Sequence, residues 1–236
     1  MPDNEIIILS TRPLPGSLIK EAAERHIAVD VLSFIETEVI QSIEIQQEIE
    51  AALLQSGTVI FTSMNAVEAV ANEIGAQVPE WNVYCIGNTT QKLVKEYFGE
   101  GVIAGTADSA GALAERIIED GTGSDEVIFF CGDQRRDELP DLLRSHDIEV
   151  NEIVVYQTIR APQKIEKFYY GILFFSPSAV ESFFENNKLP EQTILFAIGN
   201  TTATAIRRYS NNKIIIADEP GKENLFRKMM EYFGQW

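Results

Sequence analysis

The feature that most constrains the fold is an internal repeat at about half the length of the chain. The repeat pairs VIFTSMNAVE at 59–68 with ILFFSPSAVE at 172–181, and it pairs CIGNTT at 85–90 with AIGNTT at 197–202. Solenoid repeats recur about every 20 to 50 residues, so a period this long indicates two copies of one domain instead. A chain of 236 residues is long enough for two small domains, and two such domains are expected to enclose a cleft.

Short apolar runs alternate with stretches of helical spacing along the chain. Continuous apolar strands that alternate with helices are typical of a parallel sheet covered by helices on both faces, so the sequence predicts an α/β fold. The predicted strands are Ile6–Leu9, Ala28–Ser33, Val59–Thr62, Val83–Ile86, Gly101–Ala104, Val127–Cys131, Val150–Val155, Ile172–Phe175, Ile194–Ile198 and Lys213–Ile216. The predicted helices include Asn65–Ile74, Thr89–Phe98, Ala110–Ile118, Pro140–Ser145, Ala179–Asn186 and Thr202–Tyr209.

The charge balance narrows the possible partners. The chain has 36 Asp and Glu against 19 Lys and Arg, a formal net charge of −17. Nonspecific nucleic-acid binding needs clustered cations and is not expected. No apolar run reaches the roughly 18 residues of a membrane span, and the N-terminal sequence lacks the features of a secretory signal. We therefore expect a cytoplasmic protein in which Cys85 and Cys131 are buried thiols without a disulfide.

Several motifs that bind cofactors are missing from the sequence. The first strand does not lead into GxGxxG, no P-loop occurs, and Cys and His lack the spacing of metal ligands. We therefore expect neither a metal nor a cofactor. His26 and His146 both precede strands, at the sheet edge opposite the predicted binding loops. Proton transfer would then fall to Tyr, Ser, Thr, a carboxylate or water.

The repeated segments place polar turns between a strand and the helix that follows it. Such a turn offers backbone N–H groups and the positive end of a helix, which suit a carboxylate or a phosphate. Ordinary helix capping by Ser, Thr and Asn is the alternative for each turn taken singly. Arg12 and the pair Arg135 and Arg136 also follow strands and could bind carboxylates. For one arginine of that pair, an ion pair with a neighbouring acid is the expected alternative.

A set of motifs in a fixed order carries a family resemblance. They are LSTRP at 9–13, VIFTSMNAVEA at 59–69, IGNTT at 86–90, GDQRRDELP at 132–140, VVYQT at 154–158, ILFFSPSAVESF at 172–183 and AIGNTTATAI at 197–206. In them the chain resembles the uroporphyrinogen-III synthase family along essentially its whole length. The resemblance implies a monomer without a cofactor, built from two similar flavodoxin-like parallel-sheet domains joined by a two-stranded linker. The implied boundaries are 1–34 plus 160–236 for domain 1, 38–153 for domain 2, and linkers at about 34–38 and 154–159.

The implied reaction is the cyclisation of hydroxymethylbilane to uroporphyrinogen III in tetrapyrrole (heme) biosynthesis. It is a hydro-lyase reaction that loses water and inverts ring D of the linear tetrapyrrole. Motif by motif, the resemblance makes Tyr156 the catalytic candidate. The substrate-binding candidates are Arg12, Ser63, Asn65, Thr90, Arg136, Ser176, Thr201 and Thr202. One departure is Met64-Asn65, where members of the family often carry Pro-Arg, so a substrate-binding cation is absent there.

Other functions remain open on the sequence alone. A non-enzymatic two-domain protein that binds or senses a small molecule would also use a cleft lined with helix caps. A two-domain nucleotide-sugar transferase is a further alternative, although the chain is short and lacks the carboxylate motifs of such enzymes. For Tyr156, the alternative to catalysis is a phenol that only packs at the hinge between the domains.

Overall fold

The computed structural model describes residues 6–121, 123 and 126–234. The chain divides into two compact units, one comprising Met1–Glu36 and Ile159–Trp236 and the other Thr37–Thr158. We call them unit 1 and unit 2. The strands are β1 (Ile6–Ser10), β2 (Ile27–Val31), β3 (Ile35–Val39), β4 (Gly57–Phe61), β5 (Trp81–Ile86), β6 (Ile103–Ala107), β7 (Glu126–Gly132), β8 (Glu149–Arg160), β9 (Gly171–Phe174), β10 (Ile194–Ala197) and β11 (Ile214–Ile216). The helices are α1 (Gly16–Ala23), α2 (Ile43–Leu53), α3 (Met64–Ile74), α4 (Asn88–Phe98), α5 (Ala110–Asp120), α6 (Glu138–Arg144), α7 (Pro177–Asn186), α8 (Asn200–Arg207) and α9 (Lys222–Phe233).

Each unit is built on its own sheet. In unit 1 the strand order is β11-β10-β9-β1-β2, and every neighbouring pair is parallel. In unit 2 the order is β3-β8-β7-β4-β5-β6, and the pairs β7–β8, β4–β7, β4–β5 and β5–β6 are parallel. Helices follow most of the strands, as the alternation in the sequence predicts. The predicted α/β fold class with parallel sheets is therefore confirmed.

The central strands of each sheet are buried on both faces, which explains why they are continuously apolar. Successive side chains of a strand point to opposite faces. In β4, Val59 and Phe61 pack into one apolar layer and Ile60 into another. In β1, Ile8 and Leu9 likewise enter different layers. A strand that serves two cores has no polar face, and this accounts for the apolar runs that predicted the sheets.

One described strand is missing from the strands predicted from apolar runs, although it falls on the linker segment at about 34–38 that the family resemblance implies. β3 has the sequence IETEV, and all five of its residues are at least partly exposed. It joins β8 at the edge of the sheet of unit 2. An edge strand with charged residues carries little of the apolar signal on which the strand predictions rest. No helix in the described part of the chain is long and apolar enough to cross a membrane.

Candidate functional site

In unit 2 the predicted site residues lie on or directly after four neighbouring strands. Tyr156 lies on β8, Arg136 follows β7, Ser63 follows β4 and Thr90 follows β5. These strands are adjacent in the sheet and parallel, so their carboxyl ends lie at the same edge. In open α/β sheets, ligands bind at this edge. The fold therefore gathers these four residues along one side of unit 2.

Tyr156 and Ser63 are in direct contact. The phenolic O–H of Tyr156 donates a hydrogen bond of 3.0 Å to the hydroxyl oxygen of Ser63. Ser63 is the N-cap of α3, and its oxygen also accepts the backbone N–H of Asn65 at 3.2 Å. Three predicted residues thus form one connected group at the positive end of a helix. The hydroxyl proton of Ser63 has no acceptor among the described residues, so it is available to a ligand.

Two adjacent threonines in the first turn of α4 differ in how far they are exposed. The N-cap residue of this helix is Gly87. Its φ of 71° is unfavourable for residues other than glycine. Because glycine has no side chain, the helix has no side-chain cap. Thr90 is only 7% exposed, whereas Thr89 is exposed. Thr89 was not among the predicted site residues, although the repeat aligns it with Thr201.

In unit 1 the predicted residues follow three neighbouring strands. Arg12 comes after β1, Ser176 after β9, and Thr201 and Thr202 after β10. Ser176 caps α7 by accepting the backbone N–H of Ala179 at 3.2 Å, so both copies of this turn are helix caps. Thr201 is exposed and Thr202 is 1% exposed. Of the two threonines, Thr201 has the hydroxyl that a ligand in solvent can reach.

Arg12 has a cationic neighbour that the sequence did not single out. Arg12 is exposed and forms no ion pair with any other residue that the structure describes. Lys222, the first residue of α9, has a pKa below its usual value, because partial burial disfavours its charge and because Arg12 repels it. The signal that could have found Lys222 is its position at the start of the helix that follows β11. A negative ligand group beside these two side chains would relieve their repulsion.

The two arginines after β7 have different surroundings. Arg135 forms ion pairs with Asp137 and Glu152, and Arg144 also binds Glu152 at 2.6 Å. The expected ion pairing of one of the two arginines is therefore confirmed for Arg135. Arg136 is exposed and has no ion pair within residues 6–121, 123 and 126–234. It is the cation at this strand end that can bind a ligand.

The two thiols have the structural role that the sequence indicates. Cys85 and Cys131 are free and buried. Burial raises the pKa of each thiol to about 11, so neither is a thiolate nucleophile near neutral pH. In the described part of the chain, His, Cys, Asp and Glu form no group of three that could hold a metal ion.

Comparisons with known proteins agree with one another. Residues 17–227 match the family model described as uroporphyrinogen-III synthase HemD. The curated uroporphyrinogen-III synthase of Saccharomyces cerevisiae is 24% identical over 200 residues, which cover 71% of this chain and 73% of that protein.

Two solved structures have a fold similar to that of this chain. The crystal structure of uroporphyrinogen-III synthetase from Helicobacter pylori 26695 has a TM-score of 0.64 at 18% identity and covers 96% of this chain and 99% of its own. A mutant uroporphyrinogen III synthase from the extremely thermophilic bacterium Thermus thermophilus has a TM-score of 0.55 at 12% identity, with coverages of 97% and 98%. At such low identity, these two structures establish similarity of fold alone.

Proposed function

The chain belongs to the uroporphyrinogen-III synthase family, and on that premise we propose that it converts hydroxymethylbilane to uroporphyrinogen III in tetrapyrrole biosynthesis. The match of residues 17–227 to the family is the observation that carries the proposal. It favours an enzyme over a protein that only binds or senses a small molecule. The product is the substrate minus one water, with ring D inverted.

In the reaction implied by the family, the hydroxymethyl group leaves as water and generates an electrophilic azafulvene. The substituted carbon of ring D attacks it to form a spiro intermediate, which fragments and recloses as the type III ring. Closure without the enzyme gives the other isomer. Catalysis therefore consists largely of holding ring D in the orientation from which the substituted carbon attacks.

We assign substrate binding to neutral donors and a few cations. The substrate carries eight carboxylates, whereas the protein has a net charge of −17, so a broadly basic groove is not the means of binding. The N-terminal turns of α3, α4, α7 and α8 supply backbone N–H groups and the positive ends of helices. Arg12 and Arg136, which have no ion pair with other described residues, supply charge.

The exposure of each side chain decides which contact with the substrate we assign to it. Ser63, Ser176 and Thr201 offer hydroxyls near helix N-termini, whereas Thr90 and Thr202 are buried and contribute through the helix turn that they help to pack. Asn65 is half-buried and offers a neutral amide where relatives often carry arginine. We therefore propose that carboxylate binding at the start of α3 depends on N–H groups and hydroxyls.

We propose Tyr156 as the acid that assists departure of the hydroxyl. Its O–H donates to Ser63, so the proton is already directed toward the start of α3. When the substrate binds, the phenol would exchange this acceptor for the oxygen of the hydroxymethyl group. The C–O bond breaks, the oxygen leaves as water with the proton of Tyr156, and the proton released on ring closure restores the phenol. Ser63 would hold the phenol before and after the transfer.

The same family resemblance supports a monomer that needs no cofactor, and the acidic balance and short apolar runs of the sequence support a cytoplasmic protein that binds neither nucleic acid nor membrane. The free thiols of Cys85 and Cys131 are typical of a reducing compartment. Size-exclusion chromatography with light scattering would test the predicted monomer directly, against a monomer mass of 26.4 kDa.

The decisive experiment separates product isomers. The purified protein is incubated with freshly prepared hydroxymethylbilane, the products are oxidised to uroporphyrins, and isomers I and III are resolved by chromatography. We expect isomer III with the protein and isomer I with heat-denatured protein. Isomer I in both reactions would contradict the proposal and favour a binding protein.

A further inference from the structure

The position of Tyr156 in its sheet poses a steric problem. Tyr156 lies on β8 and its hydrogen-bond partner Ser63 follows β4, but β7 runs between these two strands. Neighbouring strands are about 4.8 Å apart, so the side chain has to cross a whole strand, roughly 10 Å from β8 to β4. The phenol can reach Ser63 only if the intervening strand leaves room for the ring.

Gly132 is the residue of β7 that leaves this room. It is the sheet partner of Tyr156, and paired residues direct their side chains to the same face. A Cβ atom at Gly132 would lie 2.5 Å from Cε2 of the Tyr156 ring and 2.8 Å from its phenolic oxygen. Any side chain at this position would therefore force the ring away.

A register shift sets this pairing. Along β7 and β8 the partners run regularly up to Cys131 with Val154, and then Gly132 pairs with Tyr156. Val155 is the additional residue on β8. Such irregularities redirect a side chain, and here the shift sets the tyrosine opposite the glycine.

Asp133 holds the backbone of β8 from the carbonyl group of Tyr156 to the N–H group of Thr158. Its backbone N–H donates to the carbonyl oxygen of Tyr156 at 3.1 Å. Its carboxylate accepts the backbone N–H of Thr158 at 2.9 Å. The residue next to the glycine thus holds the strand that carries the tyrosine.

We propose that Gly132 and Asp133 form a clamp that positions the Tyr156 hydroxyl to protonate the departing hydroxyl of the substrate. We call this pair the tyrosine clamp. The inference rests on the proposed role of Tyr156 as an acid. Neither clamp residue has to touch the substrate: Gly132 provides the space for the ring, and Asp133 fixes the backbone from which the ring projects.

The sheet supplies a matched control for a substitution in the clamp. On the other side of unit 2, Gly105 of β6 pairs with Tyr84 of β5 after a similar register shift. A Cβ atom at Gly105 would lie 2.6 Å from Cε1 of that ring. The hydroxyl of Tyr84 binds Asp120, which is not a candidate site residue. Gly105→Ala therefore reproduces the steric change away from the proposed site.

The test compares Gly132→Ala with Gly105→Ala. We expect Gly132→Ala to lower kcat for isomer III by about 10- to 100-fold with KM within about threefold, because the clamp acts through the acid. The Gly105→Ala variant should lose about as much folding stability as Gly132→Ala, but its turnover should equal that of the parent. In a Tyr156→Phe background, Gly132→Ala should change kcat by less than about twofold, since the hydroxyl that it displaces is already gone.

A second readout does not depend on activity. In protein labelled at tyrosine ¹³Cζ, the resonance that disappears in Tyr156→Phe identifies Tyr156. Gly132→Ala should shift that resonance, and Gly105→Ala should leave it in place while shifting that of Tyr84. Asp133→Ala removes the acceptor for the backbone N–H of Thr158 and should shift the Tyr156 resonance. Asp133→Asn keeps an oxygen acceptor, so the resonance should return to its position in the parent.

The outcomes separate the clamp from the acid role. An unmoved Tyr156 resonance in Gly132→Ala, or an equal loss of kcat with and without the phenolic hydroxyl, would overturn the clamp. If Tyr156→Phe alone keeps full turnover, the acid role in the proposed function is wrong. In that case the labelled spectra still decide whether Gly132 sets the position of the ring.

Discussion

Replacing Tyr156 with phenylalanine removes one hydroxyl and keeps the ring, so it separates chemistry from packing. The ring packs against the apolar layer that contains Val59 and Phe61, and this packing should survive. The lost contact is the hydrogen bond of 3.0 Å to Ser63. Ser63 would still accept the backbone N–H of Asn65, so the substitution leaves no orphaned partner.

The size of both effects follows from this geometry. A single hydrogen bond contributes about 0.5–1.5 kcal/mol net, so the free energy of unfolding should fall by about 1 kcal/mol. General acid catalysis typically contributes about 10²- to 10⁴-fold. Because hydroxymethylbilane also loses its hydroxyl without an enzyme, turnover should fall by about 10- to 100-fold, which is at or below the low end of that range. The expected loss of turnover corresponds to about 1.4–2.7 kcal/mol of transition-state stabilisation.

Rates of isomer III formation at saturating substrate measure the effect, and urea denaturation measures stability. Tyr84→Phe is the control, because the hydroxyl of Tyr84 also makes one side-chain hydrogen bond, of 3.2 Å to Asp120 in the same unit. It should lose similar stability and no turnover. If Tyr156→Phe stays within twofold of the parent in turnover while losing stability, Tyr156 is a packing residue and the acid has to be sought elsewhere.

Three further predictions concern the helix cap, metal dependence and alkaline stability. Ser63→Ala and Ser109→Ala each remove a cap bond of 3.2 Å worth about 1 kcal/mol of stability, and Ser63→Ala also removes the acceptor of Tyr156, so it should cost somewhat more. Only Ser63→Ala should lower turnover, and equal turnover in both would refute a binding role for Ser63. Dialysis against EDTA should leave the turnover unchanged, since the sequence lacks metal-ligand spacing; loss of activity that one metal restores would contradict this. Burial and a hydrogen bond to Asp30 raise the pKa of Tyr169 to about 12, so its stabilising effect is complete below about pH 10 and is lost as the pH rises toward 12. The free energy of unfolding should therefore fall less steeply over this interval in Tyr169→Phe than in the parent, and identical slopes would contradict the assignment.

Much of the fold could be predicted because the buried strands and the repeat are local patterns in the sequence. The cap at Ser63 and the cap at Ser176 follow from the same signal, a serine between an apolar run and a helical stretch. The apolar pattern did not show the edge strand β3, because its residues are exposed and charged; only the resemblance, with its two-stranded linker, covered that segment. The sequence also could not show which side chain of a helix turn is exposed, so it did not distinguish Thr201 from Thr202.

Contacts between distant residues could not be predicted from local patterns. Arg135 pairs with Asp137 close by in the chain, but its second partner, Glu152, lies on the neighbouring strand β8. The proximity of Arg12 and Lys222 likewise depends on the fold, because more than 200 positions separate them in the chain. Such pairs arise from sheet order, and sheet order is set by the packing of the whole unit.

The two tyrosine–glycine pairs of unit 2 show why sheet order decides what a side chain can do. Tyr84 and Tyr156 each lean on a glycine of a neighbouring strand, and both pairs follow a register shift. The partner strand of Tyr84 is β6, at the edge of the sheet, and its hydroxyl reaches Asp120 at the end of α5. The partner strand of Tyr156 is β7, inside the sheet, and beyond it lies the start of α3. Only the second tyrosine therefore reaches a helix N-terminus, where a carboxylate can bind, and this difference in position makes Tyr156 the candidate acid.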